Sequence, residues 1–81
     1  MKYTDDAQYL RMFGKRVKAL RKEHNLSQSA LGGKAELEKT AIQRIERGYN
    51  STIKTLLKLA NAFEISLSEL LNFSENDVNK L

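Results

Sequence analysis

Residues 26–48 read LSQSALGGKAELEKTAIQRIERG, and they contain two short helical patterns separated by a break. Ser27 is a suitable N-cap for the first pattern, QSALGGKA, because its hydroxyl can accept a hydrogen bond from the first turn. The apolar residues of this pattern are Ala30, Leu31 and Ala35. The letters ELEK then interrupt the periodicity, and the second pattern extends over about 39–47. Gly48 follows it, at a position where a left-handed backbone conformation readily ends a helix.

The two faces of the second pattern have different requirements. Ala41, Ile42 and Ile45 need an apolar core. The opposite face is polar and cationic, and it carries Lys39, Thr40, Gln43, Arg44 and Arg47. Such a face is either solvated or placed to contact an anionic partner. In the first pattern, Gly32 and Gly33 each cost about 1 kcal/mol relative to alanine, and we expect them to permit the close approach of another helix.

The N-terminal part of the chain predicts a helix over about 4–24. Its apolar residues recur at intervals of three and four, and they are Leu10, Phe13, Val17 and Leu20. Thr4 or Asp5 can cap this helix, and Asn25 can end it. Lysines at 15, 18 and 22 form a stripe that is either solubilising or an electrostatic aid to anion binding.

The C-terminal part predicts two more helices. Apolar residues recur over 53–63, and the letters LSELLNF at 67–73 follow a capping box formed by Ser66 and Glu69. No segment has the alternation of a strand. The prediction is therefore an all-α domain of five short helices over 1–73, followed by a polar tail at 74–81.

Composition and charge narrow the class of protein. The chain has 81 residues, no cysteine and a net charge of +4. The positive charge lies in residues 1–63, because residues 64–81 contain one lysine against four acids. A single histidine, His24, cannot found a zinc site of ordinary ligation, so we expect no metal and no cofactor. No set of residues suits catalysis, so we do not expect an enzyme. No secretion signal or membrane-spanning run is visible, and a cytoplasmic location is the expectation.

Three motifs together resemble the phage repressor and Cro-like helix-turn-helix family, also called the xenobiotic-response-element family. They are LSQ at 26–28, IQRIERG at 42–48 and TLLKLANAFEISLSELL at 55–71. The resemblance covers roughly 13–71, and the loop YNSTIKT loosely resembles that of restriction–modification controller proteins. It implies five helices, of which the second and third form the DNA-reading unit, with the third lying in the major groove.

The resemblance also implies roles for individual residues. By position, the residues that would read base edges are Lys39, Thr40, Gln43 and Arg44. Those that would contact the phosphate backbone are Gln28, which would also brace the start of the third helix, Asn50, Ser51 and Thr52. Arg47 is either a phosphate ligand or a solvated charge, and Ser51 and Thr52 are also ordinary capping residues. Glu46 is expected to pair with Arg21 as a structural ion pair.

The chain departs from the family pattern in the turn between the two helices. Glu36 stands where glycine is usual, so a residue with a side chain must adopt or avoid the left-handed conformation, at a cost of about 1 kcal/mol if it adopts it. Glu38 replaces the usual serine or threonine cap, and its charge would repel a phosphate. The loop before the fourth helix lacks the common proline.

These observations predict a sequence-specific, double-stranded DNA-binding transcriptional regulator, a dimeric repressor on a palindromic operator. One small domain reads few base pairs, so two copies are expected to act together. The predicted dimer interface consists of Leu67, Leu70, Leu71 and Phe73, with Val78 and Leu81 as further anchors. Two alternatives stay open: an antitoxin whose acidic C-terminal surface holds a toxin while its basic face represses the promoter, and a protein-interaction adaptor with no role on DNA.

Overall fold

The structure is a computed structural model that describes residues 5–74, and that part of the chain is helical without a strand. The five helices are α1 Asp6–Glu23, α2 Gln28–Ala35, α3 Lys39–Glu46, α4 Ile53–Phe63 and α5 Leu67–Leu70. Helix α3 packs against α1 and α2, and α4 packs against α2 and α5. The all-α, five-helix prediction is confirmed. None of these helices has the length and hydropathy needed to cross a bilayer.

The ends of α1 follow from local hydrogen bonding. The Asp5 carboxylate caps the helix and accepts from the backbone N–H groups of Ala7 at 2.8 Å and Gln8 at 3.3 Å. Thr4, the other predicted cap, lies outside the described residues. At the C-terminal end, Asn25 adopts a left-handed conformation with φ 56°. The neighbouring His24 ring lies 5.2 Å from the ring of Phe63, measured between centroids.

One hydrophobic core joins all five helices. Its buried apolar residues are Phe13, Val17, Leu20, Leu31, Ala35, Ile42, Ile45, Leu59, Ala60, Ala62, Phe63 and Leu70. Ala30 was expected on the apolar face of α2, but it is exposed, because α2 turns Leu31 and Ala35 inward instead. On α4, Ile53 is 62% exposed and Leu57 is 45% exposed. Only one side of α4 therefore packs into the core.

A glycine of α1 allows α1 and α3 to approach closely. A Cβ atom at Gly14 would lie 2.6 Å from the carbonyl oxygen of Ile45 and 2.8 Å from that of Glu46. The two glycines noted from sequence behave differently. A Cβ at Gly32 would meet the carbonyl oxygen of Leu37 in the following turn at 2.7 Å, whereas Gly33 faces open space. The expectation of close helix contact was thus wrong for Gly33, and the sequence pattern gave no signal for Gly14.

The turn between α2 and α3 is built on a left-handed glutamate. Glu36 has φ 57° and ψ 43°, and the next N–H, of Leu37, donates to the carbonyl oxygen of Gly32 at 2.8 Å. Glu38 then occupies the N-cap position of α3 in an extended conformation, and its side chain makes no capping hydrogen bond. Gly48 follows α3 with φ 96°, as expected from sequence.

Helix α5 is shorter than predicted, ending at Leu70 rather than Phe73. The Ser66–Glu69 capping box is present. The guanidinium of Arg16 on α1 donates to the carbonyl oxygens of Glu69 at 2.9 Å and Leu70 at 3.4 Å. In a longer helix these carbonyls would accept from residues 73 and 74. Arg16 instead supplies donors to them where α5 ends, and the ring of Phe73 lies 5.1 Å from that of Tyr9.

Two glycine substitutions test the close contact between α1 and α3. Gly14→Ala should destabilise the fold by about 2 kcal/mol, because the new methyl group would overlap backbone oxygens. Gly33→Ala is the matched control, and it should stabilise the fold by about 0.5–1 kcal/mol, since its site is helical and open. Urea unfolding followed by circular dichroism measures both. Equal effects at the two positions would contradict the contact.

Candidate nucleic-acid interface

The residues that α3 buries determine which of its side chains are exposed to solvent. Ile42 and Ile45 lie in the core, and Ala41 is half-buried. The residues predicted to read bases lie on the remaining surface: Lys39, Thr40 and Arg44 are exposed, and Gln43 is half-buried. Arg47, at the C-cap of α3, is also exposed. Helix α3 is therefore a polar ridge, anchored beneath by two isoleucines.

A cleft flanks this ridge on the side of α1 and α2. It is lined by Lys18, Arg21, Ser27, Gln28, Ser29, Lys39 and Glu46. The cleft brings Gln28, predicted to contact phosphate, next to Lys39, predicted to read a base. Lys18 is the member of the lysine stripe that lines it. The sequence showed that stripe but did not distinguish Lys18 from its neighbours, because the distinction depends on how α1 packs on α3.

A second cleft lies between α3 and the loop that leads to α4. Its lining residues are Glu38, Thr40, Ala41, Arg44, Ile45, Asn50, Ser51, Thr52 and Thr55. Thr40 and Arg44 thus share one wall with Glu38, and the predicted phosphate ligands of the loop form the other. Gln43 and Arg47 line neither of these two clefts. The structure therefore brings together two groups of predicted ligands, one on each flank of α3.

Hydrogen bonds within the loop limit what its side chains can donate. The Thr52 hydroxyl accepts from the backbone N–H of Thr55 at 3.1 Å and donates to the Thr55 hydroxyl at 3.1 Å, so it acts as the N-cap of α4. The Asn50 side-chain oxygen accepts from the backbone N–H of Ser51 at 2.9 Å. The amide N–H groups of Asn50, the hydroxyl of Ser51 and the first N–H groups of α4 are the donors that this arrangement leaves for an anion.

An ion pair between α1 and α3 forms the inner wall of the first cleft. Arg21 Nε lies 2.6 Å from Glu46 Oε2, and Nη2 donates to Oε1 at 3.1 Å. The third donor, Nη1, bonds the carbonyl oxygen of Leu26 at 2.9 Å. The side chains of Arg21 and Glu46 are 12% and 5% exposed. Hydrogen bonding to Glu46 raises the pKa of Arg21 despite the opposing effect of burial.

Gln28 joins this pair, at a different end of α3 from the one expected. Its amide nitrogen donates to Glu46 Oε1 at 3.1 Å, and Glu46 is the last residue of α3. The sequence placed the brace at the start of the helix, and the structure corrects that detail. The amide of Gln28 has a second hydrogen, which remains a donor toward the cleft.

The predicted dimer residues are covered to different extents. Leu70 is 0% exposed, so it belongs to the core of its own chain, and its inclusion in the interface is corrected. Leu67, Leu71 and Phe73 pack against the core but stay half-exposed. The further anchors at 78 and 81, and the tail after 74, lie outside the described residues.

Comparisons with known proteins identify a family and a relative that this chain resembles. Residues 17–70 match the helix-turn-helix family. The immunity repressor protein of Bacillus phage phi105 is 41% identical over 59 residues, which are 72% of this chain and 41% of the repressor. The chain thus spans about two fifths of the length of that relative.

Two solved structures are also similar. The restriction-modification controller protein C.AhdI from Aeromonas hydrophila is 37% identical with a TM-score of 0.73, covering 75% of this chain and 94% of that chain. An HTH_3 family transcriptional regulator from Vibrio cholerae is 32% identical with a TM-score of 0.77, covering 95% of this chain and 42% of that chain. The resemblance inferred from sequence is confirmed.

Removing the acid of the ion pair tests its structural role. Glu46→Ala should cost about 3 kcal/mol of unfolding free energy, because it leaves the Arg21 charge mostly buried and unpaired. Glu23→Ala removes an exposed acid at the end of α1 and should change stability by less than about 0.5 kcal/mol. In a double-mutant cycle by urea unfolding, Arg21→Ala and Glu46→Ala together should cost at least about 1 kcal/mol less than their sum. A coupling near zero would refute the pairing.

Proposed function

The chain belongs to the helix-turn-helix family, and on that premise we propose that it represses transcription by binding a specific duplex DNA sequence as a dimer. The observation that carries the proposal is the exposed ridge of α3, where Lys39, Thr40 and Arg44 stand between two clefts that hold neutral and cationic donors. The family consists of regulators rather than enzymes, and the chain is accordingly not an enzyme. A cytoplasmic location remains part of the proposal.

The dimensions of α3 suit the major groove, which admits one α-helix. Arg44 is the strongest candidate reader, because a guanidinium donates two parallel hydrogen bonds to guanine O6 and N7. Lys39 donates to a base or a phosphate, and Thr40 offers a methyl group to thymine. Gln43, half-buried beside them, contributes at the edge of this surface.

The two clefts would hold the DNA backbone on either side of the groove. Gln28 offers its remaining amide hydrogen to a phosphate on one side, with Lys18 nearby. Asn50 and the N-terminus of α4 offer donors on the other, and the helix dipole favours a negative charge there. Arg47 is exposed for a further phosphate contact. Each cationic contact releases counterions, so affinity should fall steeply with added salt.

Dimerisation would give the proposed regulator a site long enough for specificity. We place the interface on Leu67, Leu71 and Phe73, the half-exposed apolar residues at and after α5. Two-fold symmetry then implies a palindromic operator whose half-sites lie about 34 Å apart, one turn of DNA. The phage immunity repressor and the controller protein are similar chains whose names describe regulators, and neither favours the toxin-binding alternative.

Arg44→Ala tests base reading. It should weaken binding to a selected operator by about 1–3 kcal/mol and relax the preference at one base pair, because a bidentate contact to guanine is lost. Gln28→Ala is the control for a phosphate contact, and it should weaken all sequences alike. Selection from a random duplex pool followed by titration of each operator variant measures both. An unchanged preference in Arg44→Ala would refute the assignment.

Leu67→Glu tests the dimer interface. It should weaken self-association about tenfold or more, because the carboxylate would be buried between two apolar surfaces. Ser68→Glu adds the same charge at the exposed neighbouring position and should leave the dimer intact. Analytical ultracentrifugation with and without operator DNA measures the outcome. Dissociation by Leu57→Glu alone would move the interface to α4, and a wild-type monomer on DNA would refute dimerisation.

A further inference from the structure

Glu38 places an unpaired negative charge at the start of the DNA-facing helix. The residue is exposed, and it occupies the N-cap position of α3 without making the capping hydrogen bond that serine or threonine would make. Within residues 5–74 its carboxylate is not held in an ion pair with Lys39 or Arg44. It lines the same cleft as Thr40 and Arg44. The carboxylate therefore stands free among the groups proposed to contact DNA.

A free carboxylate at this place opposes DNA binding unless it has a partner there. It repels phosphates. Its charge also interacts favourably with the dipole of α3, but a shorter acidic side chain would have the same interaction, so the dipole does not explain why a glutamate stands here. One group on the major-groove edge of DNA suits a carboxylate, namely the exocyclic N4 amino group of cytosine, which is a hydrogen-bond donor. In helix-turn-helix complexes, the N-terminal residues of the second helix are the ones that reach base edges.

We propose that Glu38 reads cytosine by accepting a hydrogen bond from its N4 amino group. This inference rests on the proposed function, and it adds a base-reading residue of opposite charge to those already assigned. Glu38 and Arg44 are separated by a rise of roughly 9 Å along α3. Base pairs stack about 3.4 Å apart. Each half-site is accordingly expected to contain a cytosine within a few base pairs of the guanine that Arg44 reads.

Base reading and phosphate repulsion predict opposite results for the same substitution. If Glu38 reads cytosine, Glu38→Ala weakens binding to the operator and removes the preference at one base pair. If Glu38 only repels phosphate, Glu38→Ala strengthens binding to every sequence by a similar factor and leaves the preference unchanged. Because the side chain is exposed and makes no capping bond, neither outcome depends on a change in folding.

The experiment selects duplexes from a random pool with the wild-type chain, Glu38→Ala and Glu38→Gln, and then measures affinities for operators that differ at each base pair. Glu38→Ala should lose about 5- to 150-fold in affinity for the cytosine-containing operator and little for the operator in which that base pair is replaced. Glu38→Gln should shift the preference from cytosine toward adenine, because a side-chain amide pairs with adenine N6 and N7. A purely structural role would not cause that shift.

Glu36→Gln is the matched control. It removes the same charge two residues earlier, at an exposed glutamate that does not line the cleft, and it should leave the preference at every base pair unchanged. Wild-type selection of an operator whose preferences survive Glu38→Ala would overturn the inference and leave the proposed function standing. Failure of the wild-type chain to select any sequence would overturn the proposed function, and this inference with it.

Discussion

The bidentate pair between Arg21 and Glu46 is the constraint on which the proposed binding surface depends. It joins α1 to the last residue of α3, and the same two side chains also hold the carbonyl of Leu26 and the amide of Gln28. Three of these hydrogen bonds therefore connect α3 to α1 and α2, and the fourth connects α1 to the loop before α2, at a place that solvent barely reaches. Since a mostly buried charge without a partner is costly, α3 cannot rotate or slide without breaking this network. The outward direction of Arg44 follows from it.

The two ends of α3 are held differently, and the difference matches their proposed roles. The C-terminal end has Glu46 in the network and Gly14 beneath it, so close that a single methyl group would not fit. The N-terminal end follows a turn with a left-handed glutamate, and Glu38 gives no side-chain cap. Each feature costs stability, on the order of 1 kcal/mol. Such local costs are expected where residues serve binding rather than folding.

Charge is arranged around this helix rather than spread evenly. Cationic and neutral donors line both flanking clefts, and Glu38 is the acid that faces the same side without a partner among the described residues. A surface of uniform positive charge would bind any DNA, because phosphate contacts carry no sequence information. A carboxylate among those donors weakens binding to DNA of any sequence, because it repels phosphates. It strengthens binding where it accepts a hydrogen bond from the amino group of a cytosine. Specificity on this view comes from an attractive and a repulsive element together.

The sequence by itself determined the number of helices, the Ser27, Ser66 and Gly48 signals at their ends, and the exposed face of α3. Those features depend on neighbours within about four residues, so local periodicity and capping chemistry are sufficient to predict them. Only the tertiary structure decided that Gly14 lies against α3, that Arg16 reaches the last carbonyls of α5, that Gln28 reaches Glu46 and that Leu70 is buried. These outcomes join residues 18 to 54 positions apart. Such contacts depend on the angles and distances at which helices pack, and a one-dimensional pattern does not contain them.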